Sequence, residues 1–210
     1  MIILECEQLS PEWFDARCGI PTASNFDRLL TPSMKPSSQA SDYLYMLLGE
    51  WVTGEKEFIR PSYWMERGVE MEPEARSAYE FITDNQVTEC GLIFKDESKM
   101  VSCSPDGLME GKGLEIKCPS PNVHVSYVLQ GLCPKKYMAQ VQGSMWISGL
   151  SEWDFMSYHP DYEPLIITVG ANEAYQDALD SIIPPFIHDL LTGREHPKAA
   201  EMRAKRMESE

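Results

Sequence analysis

Basic residues are scarce in this chain: 18 Lys plus Arg stand against 33 Asp plus Glu over 210 residues, a formal net charge of −15. A surface of that sign repels polyphosphates at long range, which argues against a protein that simply coats nucleic acid. Only a locally basic groove or a bound cation would reverse that inference. Any C-x-x-C pair is also missing. The six cysteines (Cys6, Cys18, Cys90, Cys103, Cys118 and Cys133) are scattered, which speaks against a zinc cluster and for free thiols in a reducing compartment. His124, His159, His188 and His196 show no ligand spacing either. There is no basic leader followed by an apolar stretch and no run long enough to span a bilayer, so a soluble cytoplasmic protein without a membrane partner is expected. Internal repeats, low-complexity tracts and interdomain linkers are lacking. What is present is 43% apolar residues, enough for one sizeable domain with a full core.

In chain order, Ile2 to Leu4 reads as a short edge strand. Ser10-Pro11 starts a helix containing Trp13, Phe14 and Arg17, and Thr22-Ala23-Ser24 opens a second helix through Leu30. Residues 31–39 form a loop, and Ser41 to Val52 a strongly apolar helix. Tyr63 to Asn85 is helical with a kink or fresh start at Pro73, because proline disfavours helical backbone at Glu72. Short strands follow at Val87–Cys90, Leu92–Lys95 and Met100–Cys103. Helices are expected over Asn122–Gln130 and Pro134–Ile147, with strands at Glu152–His159 and Leu165–Val169. Glu173 to Leu191 is a helix broken by Pro184-Pro185. One domain over 1–193 and a charged tail over 194–210, a solvated helix or frayed end, complete the reading. This order of elements gives an α/β or α+β domain with one central mixed β-sheet flanked by helices.

The chemistry concentrates in Ser104-Pro105-Asp106-Gly107 and Gly113-Leu114-Glu115-Ile116-Lys117. The stretch reads as a hairpin: Met100–Cys103 is one strand, Pro105-Asp106-Gly107 a turn, Gly111-Lys112-Gly113 a second turn, and Leu114–Cys118 the alternating strand that follows. Strand alternation sets Glu115 and Lys117 on one face and Leu114, Ile116 and Cys118 on the other. Asp106 then approaches Glu115 across the ribbon. Two carboxylates at one spot suit a hard divalent ion such as Mg²⁺. The plainer alternative is an ion pair on a solvated strand. For Glu70, Glu72 and Glu74 the alternative is dipole compensation near a helix start, and for Lys135-Lys136, which sit unfavourably at a helix N-terminus, solvation against a nearby anion.

Five ordered blocks resemble the lambda exonuclease (YqaJ-like) viral recombination nucleases of the PD-(D/E)XK, restriction-endonuclease-like superfamily. They are Trp13–Arg17 with Thr22–Ser24, Gly68–Glu72, Cys103–Gly107, Gly113–Pro119 and Tyr137–Gln142. The resemblance implies a restriction-endonuclease-like core and a 5′-to-3′ exonuclease acting on linear double-stranded DNA, leaving a 3′ overhang. It implies two Mg²⁺ ions per site, replaceable by Mn²⁺, held by Asp106, Glu115 and the Ile116 carbonyl. Lys117 would position or activate the attacking water, Glu72 would be the helix-borne acid, and Gln140 would support the site. Arg17, Ser24 and Ser104 match a pocket for a 5′-phosphate end. A ring-shaped homotrimer and a single-strand annealing protein are the implied partners. Loop 31–39 departs from the family pattern. Without the resemblance, Arg17 reads as pairing with Glu12 or Asp15 on its own helix. An endonuclease of the same fold, a non-catalytic partner-binding relic and an acidic DNA mimic remain the alternatives.

Overall fold

The computed structural model describes residues 1–56 and 62–208. Two sheets organise it. The first three strands, β1 (Ile2–Leu4), β2 (Leu92–Phe94) and β3 (Ser102–Cys103), pair antiparallel in that order. The second is the mixed sheet expected from the sequence: β4 (Gly107–Met109), β5 (Lys112–Lys117), β6 (Glu152–Ser157) and β7 (Leu165–Gly170) are neighbours in order. The β5–β6 pair is parallel, and the outer pairs are antiparallel. Ser104, Pro105 and Asp106 are the link between the sheets.

Seven α-helices among the described residues clothe these sheets. α1 (Pro11–Arg17) begins at Ser10, whose hydroxyl accepts the Trp13 N–H, with proline at the first position. α2 spans Ala40–Thr53, α3 Tyr63–Thr83, α4 Pro121–Gln130, α5 Met138–Ser148, α6 Glu173–Glu195 and α7 Pro197–Met207. One face of the mixed sheet, with Leu114, Ile116 and Met156, buries Ala75 and Tyr79 of α3. Trp153 lies on the opposite face against Val141 and Met145 of α5. Burial of apolar side chains of this size contributes roughly 1.5–3 kcal/mol each. At Gly113, facing Trp153 across the ladder, a Cβ would lie 2.4 Å from the indole ring. Only glycine lets β5 and β6 close up there.

Several expectations need correction. α3 runs unbroken through Pro73, with no fresh start. Pro73 is on the exposed side while Ala75 and Tyr79 are fully buried, so packing against the sheet outweighs the missing N–H donor. α6 likewise continues through Pro184 and Pro185 to Glu195. Both prolines face solvent, and Leu179, Ile183, Phe186 and Leu190 form an uninterrupted buried stripe. The strand expected at Val87–Cys90 reduces to one bridge between Thr88 and Leu108. Side chains take its other backbone groups: Glu80 accepts the Val87 N–H and Gln8 donates to the Cys90 carbonyl. The segment after Thr22 is a 3-10 helix, Ala23–Arg28, and α5 is preceded by a 3-10 turn, Lys135–Tyr137. The charged C-terminal segment is helical in α7; residues 209–210 of it lie outside the described residues.

Candidate active site

Asp106 sits where the chain crosses from one sheet to the other. Its N–H donates to the Leu114 carbonyl at 3.0 Å, which carries the β4–β5 ladder one residue beyond Gly107. That register brings the Asp106 carboxylate to the β5 backbone, where Oδ2 accepts the Ile116 N–H at 2.5 Å. Alternation along β5 turns Glu115 and Lys117 away from the Leu114–Ile116 face and toward α5. Glu115 is 1% exposed. Its Oε1 accepts Gln140 Nε2–H at 2.6 Å and pairs with the Lys117 ammonium, while Oε2 is buried without any partner.

Glu72 projects from the middle of α3. Its Oε1 accepts from Arg76 one turn on, at 2.7 Å, and Arg76 Nε also donates to the Asp106 carbonyl at 3.1 Å. Burial, with the Asp106 charge nearby, raises the Glu72 carboxyl to about 7 despite Arg76. Burial raises Asp106 and Glu115 as well, against the pull of Lys117. For Lys117, burial alone would lower its pKa, but Glu115 and Asp106 outweigh it and hold the ammonium charged. Three acids whose carboxyls burial pushes upward share two cations, Lys117 and Arg76, and the cluster is short of positive charge.

Among the described residues, no group of three His, Cys, Asp or Glu side chains is arranged as a complete metal cage. The donor set nevertheless fits a magnesium ion, which is held by one or two carboxylates and keeps several waters. Glu115 Oε2 is the telling atom. A buried carboxylate oxygen without a donor is costly, and a cation is the partner it lacks.

Arg17, at the end of α1, stacks on the Trp13 ring with 3.8 Å between the guanidinium carbon and the ring centroid. Its Nη2 reaches Ser24 Oγ at 3.4 Å, and its Nε is buried without a partner. Neither Glu12 nor Asp15 pairs with it, so the sequence alternative of an ion pair within the helix does not hold. Burial lowers its pKa to about 10, leaving it cationic at neutral pH. Ser104 Oγ accepts the Trp13 Nε1–H at 2.9 Å. One cavity of about 140 Å³ joins Arg17, Ser24 and Ser104 to Asp106, Glu115, Lys117 and Gln140. Glu72 lines an adjoining cleft of about 510 Å³ together with Asp106, Ile116 and Lys117. Ile116, on the same strand, borders that cleft and gives its N–H to Asp106.

Three contributors were missed in the sequence. Arg76 follows Glu72 by four residues, a spacing that signals a helical ion pair. Trp13 precedes Arg17 by the same interval and forms the floor of its pocket. Gln8, whose amide donates to the Cys90 and Pro105 carbonyls at 2.8 Å each, ties down the inter-sheet link and has no sequence signal at all.

An acid from an inter-sheet turn, an acid and a lysine two apart on the neighbouring strand, and an acid from a flanking helix define the PD-(D/E)XK class. The chain belongs to the YqaJ-like viral recombinase domain family, whose model matches residues 12–151. In structure it is similar to the alkaline exonuclease LHK-Exo of Laribacter hongkongensis, at 28% identity and a TM-score of 0.80 over 96% of this chain and 100% of that one. In sequence it is similar to an uncharacterised protein of Acanthamoeba polyphaga mimivirus (33% identical over 92 residues, 37% of this chain and 17% of that protein). A second relative is the putative uncharacterised protein ExoD of Escherichia coli K12 (39% over 57 residues, 26% of this chain and 66% of that protein). The chain thus spans less than two thirds of the length of these curated relatives.

Proposed function

We propose that this protein is a magnesium-dependent exonuclease that digests linear double-stranded DNA from the 5′ end, leaving a 3′ single-stranded overhang for strand-annealing recombination. The observation that carries the reading is the shared cavity: a half-buried arginine with no carboxylate partner and two serines at one end, and the carboxylates with their lysine at the other. The Laribacter enzyme, solved also with dAMP, is an alkaline exonuclease, which supports nuclease chemistry on this scaffold.

Asp106, Glu115 and the Ile116 carbonyl would hold Mg²⁺, two ions per site, with Mn²⁺ as a substitute. When bound, such ions neutralise charge on the phosphoryl oxygens and favour hydroxide at neutral pH. Lys117, held charged against Glu115, orients the attacking water by donating to it. Gln140 fixes Glu115 through Oε1 and so leaves Oε2 aimed for the ion. Glu72 supplies the third acid from α3. Arg17, with Ser24 and Ser104, receives the terminal phosphate, since a guanidinium can grip two phosphate oxygens and an end carries more charge than an internal diester. A homotrimeric ring around the duplex reconciles the substrate with a net charge of −15, because topology rather than long-range attraction then retains it. The single domain over 1–193, a single-strand annealing protein as partner and a cytoplasmic location complete the proposal.

The test is digestion of linear duplex with 5′-phosphate or 5′-hydroxyl ends, in Mg²⁺ or chelator, beside closed-circular plasmid. The expected result is metal-dependent loss of the linear DNA, faster from phosphate ends, with the plasmid intact. Nicking of the plasmid would reassign the protein as an endonuclease; no digestion would leave a binding protein or DNA mimic.

A further inference from the structure

The Arg17 pocket does not end at Arg17. Two residues on, the chain turns at Gly19, whose φ of +72° is left-handed and closed to a side chain; a Cβ there would meet Trp51 Cβ at 3.1 Å and the Leu47 carbonyl at 3.2 Å. The Gly19 peptide groups are gripped from both sides. Glu50 of α2 accepts the Gly19 N–H at 2.9 Å, and its backbone carbonyl accepts the Cys18 thiol at 3.4 Å. On the other side Arg194, in the last turn of α6, donates Nη2–H to the Gly19 carbonyl at 2.5 Å. Arg194 is itself backed by the Trp51 ring, 5.8 Å from its guanidinium carbon to the centroid. The same ring carries Arg203 of α7 at 4.6 Å.

We infer that Arg194 is a specificity-determining positioning residue: by holding the Gly19 carbonyl it sets where Arg17 points, and so it sets the preference for a 5′-phosphate end. This rests on the phosphate-pocket reading of Arg17. The physical argument is one of lever and pivot. α1 ends at Arg17, and beyond it the backbone is held locally by the Cys18 N–H to the Asp15 carbonyl at 3.1 Å and by a long bond from the Ile20 N–H to the Arg17 carbonyl at 3.5 Å. The charge-assisted bonds from Arg194 and to Glu50 are the stronger restraints on the exit direction of α1. Arg17 has only the Trp13 face and one long contact to Ser24 to orient its side chain. A shift of the backbone beneath it moves the guanidinium out of the cavity it shares with Lys117. Arg194 touches none of the carboxylates, so its loss leaves the cleavage step alone. The end of the chain, read from sequence as a charged tail, thereby acquires a part in choosing ends.

The experiment measures initiation on linear duplex with 5′-phosphate and 5′-hydroxyl ends for the full-length wild type, Arg17→Ala, Arg194→Ala, Arg194→Lys and the Arg17→Ala/Arg194→Ala pair. Arg194→Ala should lower the phosphate-over-hydroxyl ratio about tenfold, with the saturated cleavage rate unchanged. Arg194→Lys, which keeps a donor for the Gly19 carbonyl, should recover most of the ratio. Adding Arg194→Ala to Arg17→Ala should change it no further. An unchanged ratio in Arg194→Ala, alongside a collapsed one in Arg17→Ala, would overturn the inference and spare the pocket. Unchanged ratios in both would overturn the phosphate pocket and the inference with it. Should Arg194→Ala fail to fold, Arg194→Met, which keeps a stem over the Trp51 ring and removes the donor to the Gly19 carbonyl, carries the decision: a ratio equal to wild type overturns the inference.

Discussion

At the scale of single residues, the site is a problem of unmatched charge. Glu115 has one oxygen shared between Gln140 and Lys117 and another with nothing at all. Gln140→Ala should therefore free Oε1 to wander and weaken magnesium dependence by roughly 10–100-fold, read as a rightward shift in a Mg²⁺ titration of nuclease activity. Lys117→Ala should abolish cleavage while DNA binding, followed by fluorescence anisotropy in Ca²⁺, is retained; digestion at the wild-type rate would remove Lys117 from the mechanism. Trp13 has a different duty. It donates to Gly91 and Ser104 while its face carries Arg17. Trp13→Phe keeps the face and loses the donor, so a stability loss of about 1–3 kcal/mol is expected in urea melts, with a smaller loss of phosphate preference than in Arg17→Ala.

At the scale of elements, the two expected helix breaks show which force wins. Pro73, Pro184 and Pro185 are local vetoes, but the buried stripes of α3 and α6 override them. Pro73→Ala should restore an interior donor and stabilise the fold by about 1 kcal/mol or more in thermal melts. The loop after β6 is pinned by His159, which is 3% exposed and packed among Arg67, Asp161, His124 and Tyr162. Burial and the Arg67 charge lower its pKa, so the folded state binds fewer protons than the unfolded chain. The stability it contributes is complete above the unfolded-chain value of about 6.5 and is lost as the pH falls from there through the lower folded-state value. Tm should drop between pH 7 and pH 5.5, and His159→Phe should flatten that slope. β5 was legible in the sequence because alternation in Leu114–Cys118 is a local signal, but its hairpin partner was not: Gly107 reads as turn yet opens β4, and β3 pairs with β2 instead. What stayed hidden was non-local. The Val87–Cys90 segment looks like a strand, but Glu80 and Gln8, from elsewhere in the chain, satisfy its backbone first. The Arg194 contact, 175 residues from Gly19, leaves no trace in spacing.

At the scale of the whole molecule, the proposed function asks a chain with a charge of −15 to hold an anionic polymer. The acids are unevenly spent: Glu72, Asp106 and Glu115 converge on the site, whereas Asp154 is buried against Tyr79, Lys112 and Thr168 as a structural knot. Family membership covers residues 12–151, so it reaches the site but not α6 and α7, which come after it. That is why the acid–lysine motif was readable and the Arg194 contact with Gly19 was not. A ring that encircles DNA should appear in light scattering as three chains, and digestion of long duplex should persist after dilution into competitor DNA. A stable monomer that digests processively would require another way of retaining the substrate. The account as a whole turns on whether these carboxylates gather a metal. The direct measurement is anomalous diffraction from crystals soaked in Mn²⁺. The prediction is a peak bridging the Asp106 and Glu115 carboxylates, with Glu115 Oε2 among its ligands; a fully soaked crystal with no peak between them would contradict it.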